Sequence, residues 1–252
     1  MKNLKVLSLA LIFLFVWNAV LTAQDKLVLL DISLEDKSEY VKVSPNIFEH
    51  YKDVVENQLG ANLIINEDQE VDRKLLEKTD VLIVLSTLSS TELKRSRSET
   101  EIKSIVSFVK NGGRLIFFTD EDRRVNMEAF GANQIVNPFG LEFGNDLPNL
   151  RNAGAISFIG EFIAGKYELP YSGSRELTGG IPISVMNAEG GHVHGAYVKL
   201  ENGGKLAAFG ETMVGLFIGG VEFTMPDGNS IVWKGKDNKQ FMKELIAWML
   251  ED

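Results

Sequence analysis

Residues 80–122 read DVLIVLSTLSSTELKRSRSETEIKSIVSFVKNGGRLIFFTDED. Two short apolar runs, 81–86 and 114–119, flank the stretch Glu99 to Lys110, in which Ile102, Ile105, Val106 and Val109 fall on one helical face. Gly112-Gly113 closes that helix. Strand, helix and strand in this order call for parallel neighbours, because an antiparallel pair needs only a tight turn between its strands. The spacer Ser89 to Ser98 is polar and loop-like.

Reading toward the N-terminus, Lys26 to Ile32 (KLVLLDI) is a first buried strand. Asn46 to Leu59 is a helix behind Ser44-Pro45, Ala61 to Ile65 a second strand, and Asp72 to Lys78 a brief helical turn. This alternation predicts an α/β fold with a doubly wound, mainly parallel sheet of the flavodoxin-like kind. Beyond Asp122 the pattern loosens. Asn126 to Val136 is helical, Asn137 to Gly140 a turn and Leu141 to Phe143 a short extended piece. The glycine-rich span Gly154 to Gly191 reads as peripheral strands or loops. Two β-hairpins follow, His192–Leu200 with Lys205–Phe209 and Val221–Met225 with Ser230–Trp233, and Asn238 to Leu250 is a terminal helix. Phe139, Phe143 and Trp233 read as packing residues.

The first residues, Met-Lys-Asn-Leu-Lys followed by the apolar block Val6 to Trp17 and Leu-Thr-Ala before Gln24, have the layout of a secretory signal peptide cleaved after Ala23. The block falls short of the ~20 residues that span a bilayer. A protein without a stable membrane span, periplasmic or secreted, is therefore expected, with residues 24–252 as a single domain. Loss of Lys2 and Lys5 with the leader takes the formal charge from −9 to −11, a sign that opposes nucleic acid and anionic membrane surfaces. The chain has 0 cysteines, which excludes disulfides, thiolate nucleophiles and a lipoprotein anchor.

In doubly wound sheets ligands sit beyond the carboxyl ends of the strands. That rule singles out Ser86 and Thr87 after the third strand and Thr119, Asp120, Glu121 and Arg123 after the fourth. Gly210, Glu211 and Thr212 follow the strand Lys205 to Phe209. The three acids and two arginines of 119–124 suit a polar ligand, and Glu211 is the one acid of an otherwise apolar stretch, 207–220. His192 and His194, two apart in a strand, present one face and with Glu161 or Glu211 would form a metal site, although the pair beside Gly190-Gly191 reads first as solvated. His50 reads as a surface residue of a helix.

The motif order Asp80-Val-Leu-Ile-Val-Leu, Phe108-Val-Lys-Asn-Gly-Gly, Arg114-Leu-Ile-Phe-Phe-Thr-Asp and Asn137-Pro-Phe-Gly-Leu-Glu-Phe resembles the class I glutamine amidotransferase-like superfamily. Within it the chain is most similar to the non-amidotransferase branch, which holds exported bacterial domains and the domain shared by gliding-motility and intraflagellar-transport proteins. Gly204-Lys-Leu-Ala-Ala-Phe-Gly-Glu-Thr, Asp237-Asn-Lys-Gln-Phe and Ile246-Ala-Trp-Met-Leu resemble that branch's closing strand, loop and helix, with 221–234 as a hairpin insertion. The resemblance implies an elbow at Thr119-Asp120-Glu121, where amidotransferases carry cysteine. It places Phe209-Gly210-Glu211 where they carry His-x-Glu. Nucleophile and base are both absent, and no histidine is expected to reach Thr119.

These readings imply a binding or assembly module of the bacterial envelope without catalytic residues, metal or cofactor. Its partner would be an envelope protein or a polar small molecule or glycan. The alternative is a carbohydrate- or ester-directed hydrolase using Asp120 and Glu211 as paired carboxylates.

Overall fold

The computed structural model describes residues 26–147, 154–170, 173–187, 190–219 and 237–251, and the backbone alone of 221–224, 230–233 and 236. The leader read at residues 1–23 and the side chain of Trp233 lie outside this set. In chain order, β1 (Leu27–Asp31) leads through α1 (Lys37–Val43) and α2 (Ile47–Lys52) into a π-helical turn at Asp53–Gln58, then to β2 (Asn62–Asn66). α3 (Arg73–Leu76) precedes β3 (Val81–Val84), and α4 (Glu99–Lys110) precedes β4 (Arg114–Phe118). α5 (Met127–Phe130) and α6 (Ala132–Val136) follow. Six further strands come next: β5 (Glu142–Asp146), β6 (Ala155–Ser157), β7 (Glu168–Leu169), β8 (Arg175–Thr178), β9 (Ile181–Met186) and β10 (Val193–Lys199). The chain closes with β11 (Lys205–Phe209), α7 (Met213–Leu216), β12 (Val221–Thr224), β13 (Ser230–Trp233) and α8 (Lys236–Leu250).

The main sheet has 9 strands in the order β2-β1-β3-β4-β11-β10-β9-β6-β7. From β2 to β11 every junction is parallel, and from β11 to β7 every junction is antiparallel. The expectation of a doubly wound, mainly parallel sheet is therefore corrected to a mixed sheet. The glycine-rich span read as peripheral supplies β6, β7 and β9, the outer strands of the antiparallel half. β5 pairs with β8, and β12 with β13, as separate two-stranded sheets.

Side chains alternate across the central strands as the period of 2 requires. Val28, Leu30, Ile116, Phe118, Ala207 and Phe209 join the core beneath α2 and α8. Leu29, Leu115, Phe117, Leu206 and Ala208 join the core beneath α4 to α6. Burial on both faces explains why β1, β3 and β4 read as unbroken apolar runs. α4 starts at a capping box in which Ser98 accepts from the Glu101 amide and Glu101 accepts from the Ser98 amide. Behind α4, Gly112 takes φ 98° and the chain turns directly into β4. α8 buries Phe241, Met242, Leu245, Ile246 and Met249 against the first core, and Trp248 stacks on Phe162 at 4.0 Å.

The last turn of α8 is held by a buried cation. The Lys205 ammonium donates to the carbonyls of Trp248 at 2.7 Å and Glu251 at 2.8 Å, satisfying oxygens that a helix end leaves without partners. Lys205→Met keeps the stem volume and removes these bonds. It is expected to cost about 2 kcal/mol, read as a lower urea midpoint at unchanged m-value.

Candidate functional site

The parallel pairing of β4 with β11 sets Phe118 beside Phe209, so the residues that follow, Thr119 to Asp122 and Gly210 to Thr212, emerge together at the carboxyl edge. Asp120 is fully buried there. One of its oxygens accepts from the Glu121 amide at 2.9 Å; the other accepts from Arg124 Nη1 at 3.1 Å and from the Thr212 amide at 3.3 Å. Burial raises its pKa against the pull of Arg124. The Thr119 hydroxyl turns to the Met127 sulfur at 3.4 Å. Thr87 donates to the Arg124 carbonyl at 2.8 Å, and Ser86 accepts from the Tyr40 hydroxyl at 2.9 Å through its own carbonyl. Eight of the residues singled out from the sequence are thus buried: Ser86, Thr87, Thr119, Asp120, Glu121, Gly210, Glu211 and Thr212. Arg123 alone is exposed, paired with Glu121. The Thr212 hydroxyl is buried without a hydrogen-bond partner.

β8 lies across this edge as a strap. Arg175 is buried and donates to the carbonyls of Asp120 at 2.7 Å and Gly144 at 3.1 Å while pairing with Asp122. Its amide donates to the Gly210 carbonyl at 2.9 Å. The strap sits so close that a Cβ on Gly210 would come within 2.4 Å of the Arg175 carbonyl, and one on Gly173 within 2.6 Å of the Glu121 carboxylate.

The reading of His194 as solvated is overturned at this edge, where its imidazole reaches Glu211 and not Thr119. His194, in a β-bulge of β10, is fully buried, not solvated. Its Nδ1 lies 3.0 Å from the hydroxyl of Ser184 on β9, and its Nε2 lies 3.5 Å from the Glu211 carboxylate. The order serine, histidine, glutamate is that of an acyl-transfer triad. All three members have 0% exposure, and Ser184 lies within a strand, not on an elbow. Desolvation pushes the imidazole pKa down to about 3. His192 is only half buried, and among the described residues no group of histidines and acids could hold a metal ion. His50, read as a surface residue, is half buried with its ring against Gly219.

A second polar centre, which the sequence reading missed, fills the ends of β1 and β2. Asp31 accepts from Arg97 Nη2 and from the Asn66 amide nitrogen, each at 2.8 Å. Arg97 also faces Glu101 at 3.6 Å, and Arg95 donates to Glu101 at 3.0 Å and to Ser33 at 3.0 Å. Between the ends of β1 and β3, the crevice where doubly wound sheets hold ligands, Glu35 is buried and accepts from the Leu88 amide at 3.1 Å. The Ser98-x-x-Glu101 box was the available signal. The two arginines were hidden in a run that reads as solvated loop.

No protein-family model matches the chain, and no curated protein matches it in sequence. Solved structures do match. The mmIFT52 N-terminal domain superposes with a TM-score of 0.60 at 12% identity, over 89% of this chain and 98% of that one. A ThuA-like protein from Bacteroides uniformis gives 0.55 at 11% identity, over 90% and 92%. The chain therefore shares the fold of these two structures. At these identities the likeness carries the architecture and no activity. No helix among the described residues is long and apolar enough to cross a membrane.

The state of His194 has a measurable consequence. In the unfolded chain its pKa returns to ~6.5, so between that value and about 3 the unfolded state binds a proton that the folded state refuses. The contribution of the neutral ring is complete above the upper value and is lost as pH falls through the window, by about 1.4 kcal/mol per unit at most. His194→Asn, which keeps a polar atom toward Ser184, is expected to flatten the slope of unfolding free energy between pH 6.5 and 4. Parallel slopes in variant and parent would show that the ring is charged when folded.

Proposed function

We propose that the chain is a non-catalytic amidotransferase-like module of the bacterial envelope, exported by its N-terminal leader, which binds a polar ligand or an envelope partner at the rim of its carboxyl edge. The observation that carries this reading is the fate of the elbow. Thr119 stands where the resemblance puts a nucleophile, and its hydroxyl faces a thioether instead of a base. Asp120 has both oxygens engaged by internal donors, which argues against its service as a proton donor or nucleophile. Among the described residues that follow β4, Asp122 and Arg123 turn their side chains to solvent, 75% and 53% exposed. The buried residues beneath position them.

The purified chain is expected to release nothing from glutamine, p-nitrophenyl acetate or p-nitrophenyl glycosides above the buffer rate. Arg123→Glu is expected to abolish retention of its envelope partner while leaving the melting temperature within about 2 °C of the parent. Turnover that disappears in Ser184→Ala or Glu211→Gln would replace this reading with a hydrolase built on the buried triad.

A further inference from the structure

The opposite edge of the sheet is open. The amino ends of β3 and β4, together with α3 and α4, enclose a groove of about 660 Å³, within the ~300–1,000 Å³ typical of small-molecule sites. One wall is a polar stripe of α4, where Thr100, Ser104 and Ser107 recur at the spacing of a single helical face and Asn111 continues them past the helix end. The apolar lining is Leu76 and the Phe108 ring. The ring lies against Gly113, where a Cβ would come within 2.5 Å of it, so the glycine is what lets β4 start alongside an aromatic wall.

Three ion pairs flank the groove, and Arg114 of β4 also lines it. Arg73 meets Glu77 at 3.1 Å, Lys103 meets Glu99 at 3.1 Å, and Asp80 meets Lys26 at 3.5 Å. An anionic ligand would have to compete with Glu77 for Arg73 and with Glu99 for Lys103. A hydrocarbon ligand would strip water from a wall of hydroxyls without replacing its hydrogen bonds. A neutral molecule with many hydroxyls meets neither obstacle: it exchanges hydrogen bonds with Thr100, Ser104 and Asn111 and lays its C–H face on Phe108.

We infer that this groove is a binding site for a neutral saccharide, distinct from the carboxyl edge and independent of what that edge binds. The test is saturation-transfer NMR and titration calorimetry of the purified chain with maltose, cellobiose and N,N′-diacetylchitobiose, with glucose 6-phosphate and galacturonate as anionic counterparts. At least one neutral disaccharide is expected to bind, with its ring C–H protons receiving saturation. Ser104→Trp fills the groove from a half-buried position of the helix and is expected to weaken that binding at least tenfold while the thermal midpoint stays within about 2 °C. If Ser104→Trp does not fold, Thr100→Tyr, from an exposed position of the same stripe, is read in the same way. Silence from all three neutral sugars, tighter binding of an anionic sugar, or undiminished binding in the filled variant would each overturn the inference. None of these outcomes bears on Arg123 or on the carboxyl edge.

Discussion

A carboxylate without access to water has to be matched where it stands, and Asp120 imposes that requirement on the whole carboxyl edge. Its match comes from three directions: the next amide of its own chain, the guanidinium of Arg124 one turn on, and the Thr212 amide arriving from β11. Each donor then fixes something further out. Holding Arg124 places the carbonyl that accepts from Thr87, tying the end of β3 to the end of β4. Holding Thr212 places α7, whose Gly215 packs against Leu85 and Phe118 so closely that a Cβ would come within 2.8 Å of the Leu85 side chain. The carbonyl of Asp120 takes Arg175 and with it the strap. Removing the carboxylate would leave a guanidinium and an amide facing an apolar interior, a loss on the order of 3–5 kcal/mol for a buried pair.

The second polar centre follows the same rule with the roles exchanged. Here two arginines reach inward to acids at the ends of β1 and α4. Asp31 and Glu101 divide Arg97, while Arg95 lies partly outside and closes the cluster. Together the two centres occupy the carboxyl ends of β1, β2 and β4, and Glu35 and Tyr40 occupy the gap at β3. An edge that in related architectures stays free for ligands is converted into internal structure. The geometry is thereby made rigid at the cost of desolvating charged groups, a trade that favours one arrangement over near alternatives more than it raises stability.

The parts of this fold that were legible are those where local sequence and tertiary burial agree. β1, β3 and β4 are covered on both faces, so their apolar runs are unbroken, and α4 carries both its cap and its stripe. β6 and β7 span 3 and 2 residues and β9 carries Pro182, so none offers a period long enough to read. Their places come from successive pairings, β9 on β10, β6 on β9 and β7 on β6, long-range facts that no window of sequence contains. The same limit applied to the site. The strand-end rule selected Asp120 and Glu211, and the β4–β11 register brought their segments together. The rule spoke of exposed loops, however, and gave no sign of the strap that covers them. His194 was misread because an H-x-H pair suggests a regular strand, whereas His192 precedes β10 and is half buried while His194, at the register shift, is buried fully.

Alignment and reactivity part company in the Ser184–His194–Glu211 contact. A general base works best with a pKa near the working pH, because only then is it both deprotonated and eager for a proton. The burial that lines up the three side chains removes the water an imidazolium would need and drives the ring's pKa down to about 3. A ring of that basicity is neutral at pH 7 but takes a serine proton reluctantly. Glu211 could restore basicity only by stabilising the imidazolium, and at 3.5 Å its hold is loose. The constellation therefore has the order of a triad with the electrostatics of a core hydrogen-bond chain, and it is the exclusion of water, not the identity of the residues, that decides between the two.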